Sequence, residues 1–147
     1  MELFPKPPSI QTFQQADYPK WLYDVLESLF QQGDYYAVVE GVITLGDNIS
    51  GEIDLGYGKY ISVVMPDAWD AADLTFQASD AEGGIYQDVY DDLGSIVLIP
   101  ADAGQVISIT INALTFAGLR FIKIRSGTTA VPIVQTASRT FKIICQR

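Results

Sequence analysis

The sequence predicts a mainly β fold: a jelly-roll-like sandwich of two sheets, preceded by an extended arm and one α-helix. Three observations lead there. From residue 35 onward, short runs rich in Val, Ile, Tyr and Phe alternate with Gly, Asp, Asn and Pro turn signals. The runs recur at a spacing of about 8–12 residues, as in sandwiches and barrels. No helical periods separate them, which disfavours a doubly wound sheet. At 147 residues, 48% of them hydrophobic and 18% charged, the chain can build one core without staples.

Residues 1–16 carry Pro5, Pro7 and Pro8 among polar residues. Proline removes backbone donors and favours extended chain, so this stretch reads as an arm. Residues 17–32 read as a helix. Asp17 is a candidate N-cap, and Pro19 sits in the first turn, where its missing N–H costs nothing. Trp21, Leu22, Val25, Leu26, Leu29 and Phe30 follow the i, i+3, i+4, i+7 spacing, and Gly33 is a stop. The expected organisation is therefore a docking arm and helix over 1–34 and a β domain over 35–147. Trp21, Leu22, Val25, Leu29 and Phe30 are the candidate partner-docking residues. The same stripe could instead pack on its own domain.

Tyr35–Leu45 is a Val/Ile/Tyr run, and Asp47–Gly51 is a turn. Glu52–Leu55 and Lys59–Met65 are expected strands around Gly56–Gly58, and Pro66–Ala72 connects onward. Leu74–Ser79 alternates, with Leu74, Phe76 and Ala78 on one face. Further strands are expected at Ile85–Tyr90, Ser95–Ile99, Gln105–Ile111, Leu119–Arg125, Val131–Val134 and Thr140–Gln146. The turns between them include Asp80–Gly84, Asp91–Gly94 and Ser126-Gly127. No internal repeat points to a propeller or solenoid.

Composition excludes several functions. The net charge of −9 argues against nonspecific binding to nucleic acid or to an anionic membrane. No apolar run approaches the ~20 residues of a membrane span. The opening MELFPKPPSI lacks a basic start followed by an apolar stretch, which predicts synthesis in the cytoplasm without a secretory signal. The sequence contains no histidine, which removes the commonest general base, the usual metal ligand and the Ser-His and Cys-His pairs. The single cysteine, Cys145, alternates with Phe141 and Ile143 and reads as a small buried hydrophobe. The expectation is a non-enzyme with no catalytic residue, cofactor or metal.

Charge is also unevenly placed. Seventeen acids and only two bases, Lys20 and Lys59, lie between Asp17 and Asp102. From Arg120 onward there are six bases and no acid. The basic strands either pair with acidic ones inside one fold or meet the acidic edge of a neighbouring copy. Acids cluster at Asp67, Asp70 and Asp73, at Asp80 and Glu82, and at Asp88, Asp91 and Asp92. Such clusters can hold Ca²⁺ or run carboxylate chemistry, with Asp70, Asp88 and Asp91 the ones a small hydrolase would use. No EF-hand spacing is present, and turn-forming Asp is the simpler reading. Gly56-Tyr57-Gly58 lacks the rest of a dinucleotide fingerprint, and Ser126–Thr129 lacks the Gly-Lys-Ser/Thr of a phosphate loop. Trp69, Tyr86 and Tyr90 are a candidate ligand platform, because aromatic faces stack on sugars. Phe116 is a further candidate for it.

Three segments carry a resemblance. They are P-D-A-W-D-A-A-D-L-T-F-Q-A-S-D at 66–80, I-Y-Q-D-V-Y-D-D-L-G at 85–94 and F-A-G-L-R-F-I-K-I-R-S-G at 116–127. In this order they resemble small virion structural proteins of tailed bacteriophages, the capsid decoration (cement) or head- and tail-associated β-sandwich proteins. With residues 128–147 the likeness covers a little over half of the chain, and the arm and helix lie outside it. More loosely, the strand pattern is similar to discoidin-like sugar-binding sandwiches. The first resemblance implies a virion protein, above all capsid cement bridging neighbouring subunits. Its partners would be the major capsid protein or other virion proteins, and it would be a homo-oligomer, preferably a trimer. The alternative is a carbohydrate-binding, receptor-facing module of a phage fibre, spike or tail.

Overall fold

A computed structural model describes residues 19–32, 36–109 and 115–146. The expected N-cap Asp17 and the arm at 1–16 lie outside these residues. The chain divides at Tyr35/Tyr36 into two units, each described by itself.

The first unit contains α1 (Lys20–Gln32). The Pro19 carbonyl accepts the first helical bond, from the Tyr23 N–H at 2.9 Å. Proline thus stands where its missing donor costs nothing. Lys20 and Asp24 form an exposed i, i+4 ion pair at 2.8 Å. Trp21 and Val25 are exposed, whereas Leu22 and Leu26 are half-buried. The side chains of Leu29 and Phe30 lie outside the described ones.

The second unit is mainly β. Its strands are β1 (Tyr36–Ile43), β2 (Ile53–Asp54), β3 (Tyr60–Val64), β4 (Leu74–Ser79), β5 (Gln87–Asp88), β6 (Leu98–Ile99), β7 (Val106–Ser108), β8 (Phe121–Ser126) and β9 (Arg139–Gln146). Sheet A has the order β1-β9-β3-β7, and sheet B the order β2-β8-β4-β5, with β6 also on β4. Every pairing is antiparallel. The chain crosses between sheets at each step except from β4 to β6. The partnerships nest: β1 with β9, β2 with β8, β3 with β7, and β4 with β5 and β6. A long antiparallel hairpin rolled on itself gives this nesting, which is the jelly roll.

The core lies between the two sheets. Alternate residues of each strand point inward. Ile43, Ile53, Leu55, Val63, Leu74, Phe76, Ile122, Ile124, Phe141, Ile143 and Cys145 are all buried. Phe76 meets Phe116 edge-on at 5.0 Å, and Trp69 meets Phe141 edge-on at 5.4 Å. Gly41 is required where β1 passes β2, because a Cβ there would run into the Ile53 side chain. Phe116 is therefore a core residue and leaves the candidate platform.

Two local expectations are corrected. The strand expected at Val131–Val134 does not form; a single Gly127–Pro132 bridge stands there instead. Pro132 has no N–H to give a ladder, and Val131 and Val134 are exposed. The strands expected at 85–90 and 95–99 shrink to two residues each, with a Tyr90–Ile96 bridge between them. Asp91 closes a tight turn between them, its carboxylate accepting from the Leu93 and Ser95 N–H groups at 2.9 Å. Thr75 and Ser79, on the face of β4 opposite Leu74 and Phe76, are also buried. The 127–129 loop and the turn after Ser79 bond to them, Thr75 donating to the Gly127 carbonyl at 2.7 Å and Ser79 to that of Ala81 at 2.9 Å.

Candidate interaction surface

The two outer faces of the sandwich differ in kind. On sheet B most outward side chains are polar and bonded within the chain, with Phe121 and the exposed Leu98 as the apolar exceptions. Arg125 of β8 has a side chain only 8% exposed, and it donates to Asp88 at 2.8 Å and to Thr129 at 2.8 Å. Thr129 in turn donates to the other Asp88 oxygen, and Gln77 donates to Asp88 at 3.1 Å. The Thr129 hydroxyl, then Arg125 and Gln77, hold the Asp88 carboxyl below the usual carboxylate range. Arg120 makes a two-pronged contact with Asp54 at 2.9 and 3.2 Å, which lowers the Asp54 pKa. The Lys123 ammonium lies 4.4 Å from the Tyr86 ring centre. The Tyr86 hydroxyl donates to Glu52, which also accepts from the Gly83 N–H at 2.8 Å. Burial and Glu52 together raise the phenol pKa.

At the base of the 66–73 loop, Gln135 is fully buried. Its amide donates to the Asp70 carbonyl at 3.1 Å and to Ser126 at 2.8 Å. Its carbonyl accepts from the Asp70 N–H at 3.0 Å and from Arg139 at 3.1 Å. The Asp70 carboxylate caps Thr136 and contacts Arg139 at 3.4 Å, and the Thr136 N–H is the main cause of its lowered pKa. Three of the six bases from Arg120 onward thus pair with acids inside the same fold: Arg120 with Asp54, Arg125 with Asp88 and Arg139 with Asp70. For these three the first of the two charge readings holds.

Sheet A differs. The register lines up its outward side chains in rows across the strands: Tyr36, Gln146 and Tyr60; then Val38, Ile144, Ser62 and Ser108; then Glu40, Lys142, Val64 and Val106; then Val42 and Thr140. Tyr36 and Val106 are each 65% exposed, and Val38, Val42 and Tyr60 are exposed as well. Ile144 and Val64 are half-buried. Glu40 and Lys142 are cross-strand neighbours and the only charged pair on the face. Seven of these thirteen side chains are apolar and six are polar or charged, so the face is mixed, with its exposed valines and tyrosines spread over all four rows.

The candidate ligand platform is not assembled. Trp69 is fixed by its indole N–H to the Ala72 carbonyl at 3.0 Å and by its edge contact with the core ring of Phe141. Tyr86 has Lys123 over its ring. Tyr90 is exposed but flanks the Asp91 turn. Among the described residues no ring contact joins the three. The acids expected to cluster are also distributed. Asp70, Asp88 and Asp91 serve three separate networks, and among the described residues no three acidic or Cys side chains converge as a metal site would require. A cleft of about 340 Å³ opens between β6 and β7, lined by Ile96, Leu98, Pro100, Ile107 and Ile109, with Asp91 at its margin. Asp91 is committed to its turn, so the cleft offers an apolar wall without a pair of reactive groups. Cys145 is buried, and burial pushes its thiol up to about 11, so it is not a nucleophile.

The functional reading of the sequence missed the sheet A face and Gln135. The face has a sequence signal, since the Tyr35–Leu45 run is apolar at both parities. A lone glutamine between Val134 and Thr136 has none. Comparison with protein-family models, with curated proteins and with solved structures finds no match to this chain.

Proposed function

We propose that this protein is a non-enzymatic attachment module, a structural protein of a tailed-bacteriophage virion that acts as capsid decoration or cement. The observation that carries the reading is a difference between the two sheets. Sheet B holds Arg120 and Arg125 in ion pairs within the fold, while the outer face of sheet A leaves Tyr36, Val38, Val42, Tyr60 and Val106 exposed, as an attachment face would. The jelly roll, an architecture common in viral capsid and lectin domains, is compatible with it by analogy of fold. The resemblance of 66–80, 85–94 and 116–127 to phage virion proteins points the same way. In this reading the arm and helix over 1–34 grip neighbouring subunits, with Trp21, Leu22, Val25, Leu29 and Phe30 as the contact stripe. The sandwich over 35–147 covers the shell, and weak contacts repeated over many sites give avidity.

The test is composition and add-back. Gradient-purified particles of the phage or prophage encoding the chain should contain it in many copies, and particles stripped of it should rebind the full-length protein. Deleting residues 1–34 should abolish rebinding while circular dichroism still reports a folded β domain. Particles that never contain the protein would end this reading. The glycan-binding alternative has less support, because Trp69 and Tyr86 already have other contacts.

A further inference from the structure

We propose that β1 is a dimerisation edge, on which a second copy of this chain pairs its own β1 antiparallel about a two-fold axis through Val38. Sheet A has two edges, β1 and β7. Strand β7 has three residues, and the sheet B edges β2 and β5 have two each. Short edges of that kind are a usual protection against strand addition. Strand β1 has eight residues, YAVVEGVI, with no proline, no lysine and one charge, Glu40. Glu40 apart, it lacks the shortness, lysine and proline that usually protect an edge.

Two backbone bonds establish which β1 groups face the open side. The Val42 carbonyl accepts from the Gly51 N–H at 3.2 Å, so Val42 directs its backbone groups away from β9. At the other end, the Gln146 carbonyl accepts from the Lys59 N–H at 2.8 Å, on the β3 side. Tyr36, which pairs with Gln146, therefore also faces the open side. In an antiparallel ladder alternate residues share a side. Tyr36, Val38 and Glu40 thus form the open set, and among the described residues no backbone group bonds theirs across this edge. The Gly51 contact ends the set at Val42.

A second copy complements this set, because antiparallel pairing about Val38 sets a phenol against a carboxylate at both ends. Pairing Val38 with the second copy's Val38 places Tyr36 against its Glu40 and Glu40 against its Tyr36. Each N–H of the three residues then meets a carbonyl of the other copy. The side chains of the three lie on the outer face of sheet A, so each Tyr36 hydroxyl can donate to the opposing carboxylate while the two valines touch on the axis. The interface is isologous and closes at two. It would join two sheet A faces into one continuous surface. The pairing depends only on this chain and stands apart from the virion reading.

The test is sedimentation velocity and native mass spectrometry of the full-length protein at micromolar concentration. A dimer is expected. Val38→Lys places two ammonium groups face to face, and Val38→Pro removes the axial donor. Each should weaken dimerisation by more than about tenfold. Val106→Lys, on the opposite edge, should leave the dimer intact and controls for added surface charge. Circular dichroism verifies folding, and Val38→Lys keeps the experiment decisive if the proline variant does not fold. A wild-type monomer or trimer overturns the proposal, as does a dimer indifferent to Val38→Lys. A monomer that dimerises only after removal of residues 1–18 overturns it too, by making this chain's own arm the occupant.

Discussion

Replacing Asp88 with alanine should be among the most damaging single polar changes in the sandwich. Asp88 receives hydrogen bonds from Arg125, Thr129 and Gln77, and the Arg125 side chain is 8% exposed. Removing the carboxylate leaves a guanidinium nearly out of water with only the Thr129 oxygen as partner. Breaking a buried pair from one side costs about 3–5 kcal/mol. The Asp88 end is 17% exposed, so the lower part of that range, about 3 kcal/mol, is expected. For a domain of this size that corresponds to a melting shift of roughly 12 °C. Urea unfolding followed by circular dichroism measures it. Replacing both partners, Asp88→Leu with Arg125→Met, should return stability to within about 1 kcal/mol of wild type, because no charge is left stranded. Asp54→Ala provides the contrast. Its pair with Arg120 is half exposed on both sides, so its loss should cost no more than about 0.5 kcal/mol. Equal costs for Asp88→Ala and Asp54→Ala would show that burial does not set the penalty, and the account of sheet B would be wrong.

Two further outcomes follow from the same networks. Gln135→Leu should destabilise by about 2–4 kcal/mol, since it strands the Asp70 N–H and the Ser126 hydroxyl and releases Arg139 from one partner; limited proteolysis should then cut within 66–73, where the wild type resists. Stability should also depend on acid pH in one direction. Glu52, Asp54, Asp70 and Asp88 all have lowered pKa values when folded, so their stabilisation is complete above the unfolded carboxylate values near about 4 and is lost as pH falls through the folded ones. Melting temperatures should be flat between about pH 5 and 7 and drop below about pH 4; a protein that grows more stable on acidification would contradict these assignments.

Much of the fold was legible because strand signals are local. Leu74–Ser79 alternates cleanly and is β4 to the residue. Thr140–Gln146 gains only Arg139. The jelly-roll architecture was also legible, but its particular partnerships rest on contacts between distant residues, such as Tyr36 with Gln146, which no local period encodes. The charge split foreshadowed the ion pairs without identifying them: Arg125 finds Asp88 only because the chain returns beside β4. The Tyr35–Leu45 segment was legible as a Val/Ile/Tyr run, which does not say which of its faces is covered. Only the sheet order reveals that Tyr36, Val38 and Val42 face outward. Val131–Val134 had strand-forming composition, but Pro132 and the exposure of its neighbours keep it a loop.

The pairing of Tyr36 with Gln146 has a mechanical consequence. Both ends of the sandwich leave from one pole, on adjacent strands. A force drawing those ends apart falls on the last rung of the β1–β9 ladder, then on the next, and each rung resists alone. Strands hauled lengthwise past each other would share the load among all their rungs at once. Tension applied through its two ends should therefore peel this domain open at low force. Stress that enters broadly through the flat of sheet A should be spread over many contacts.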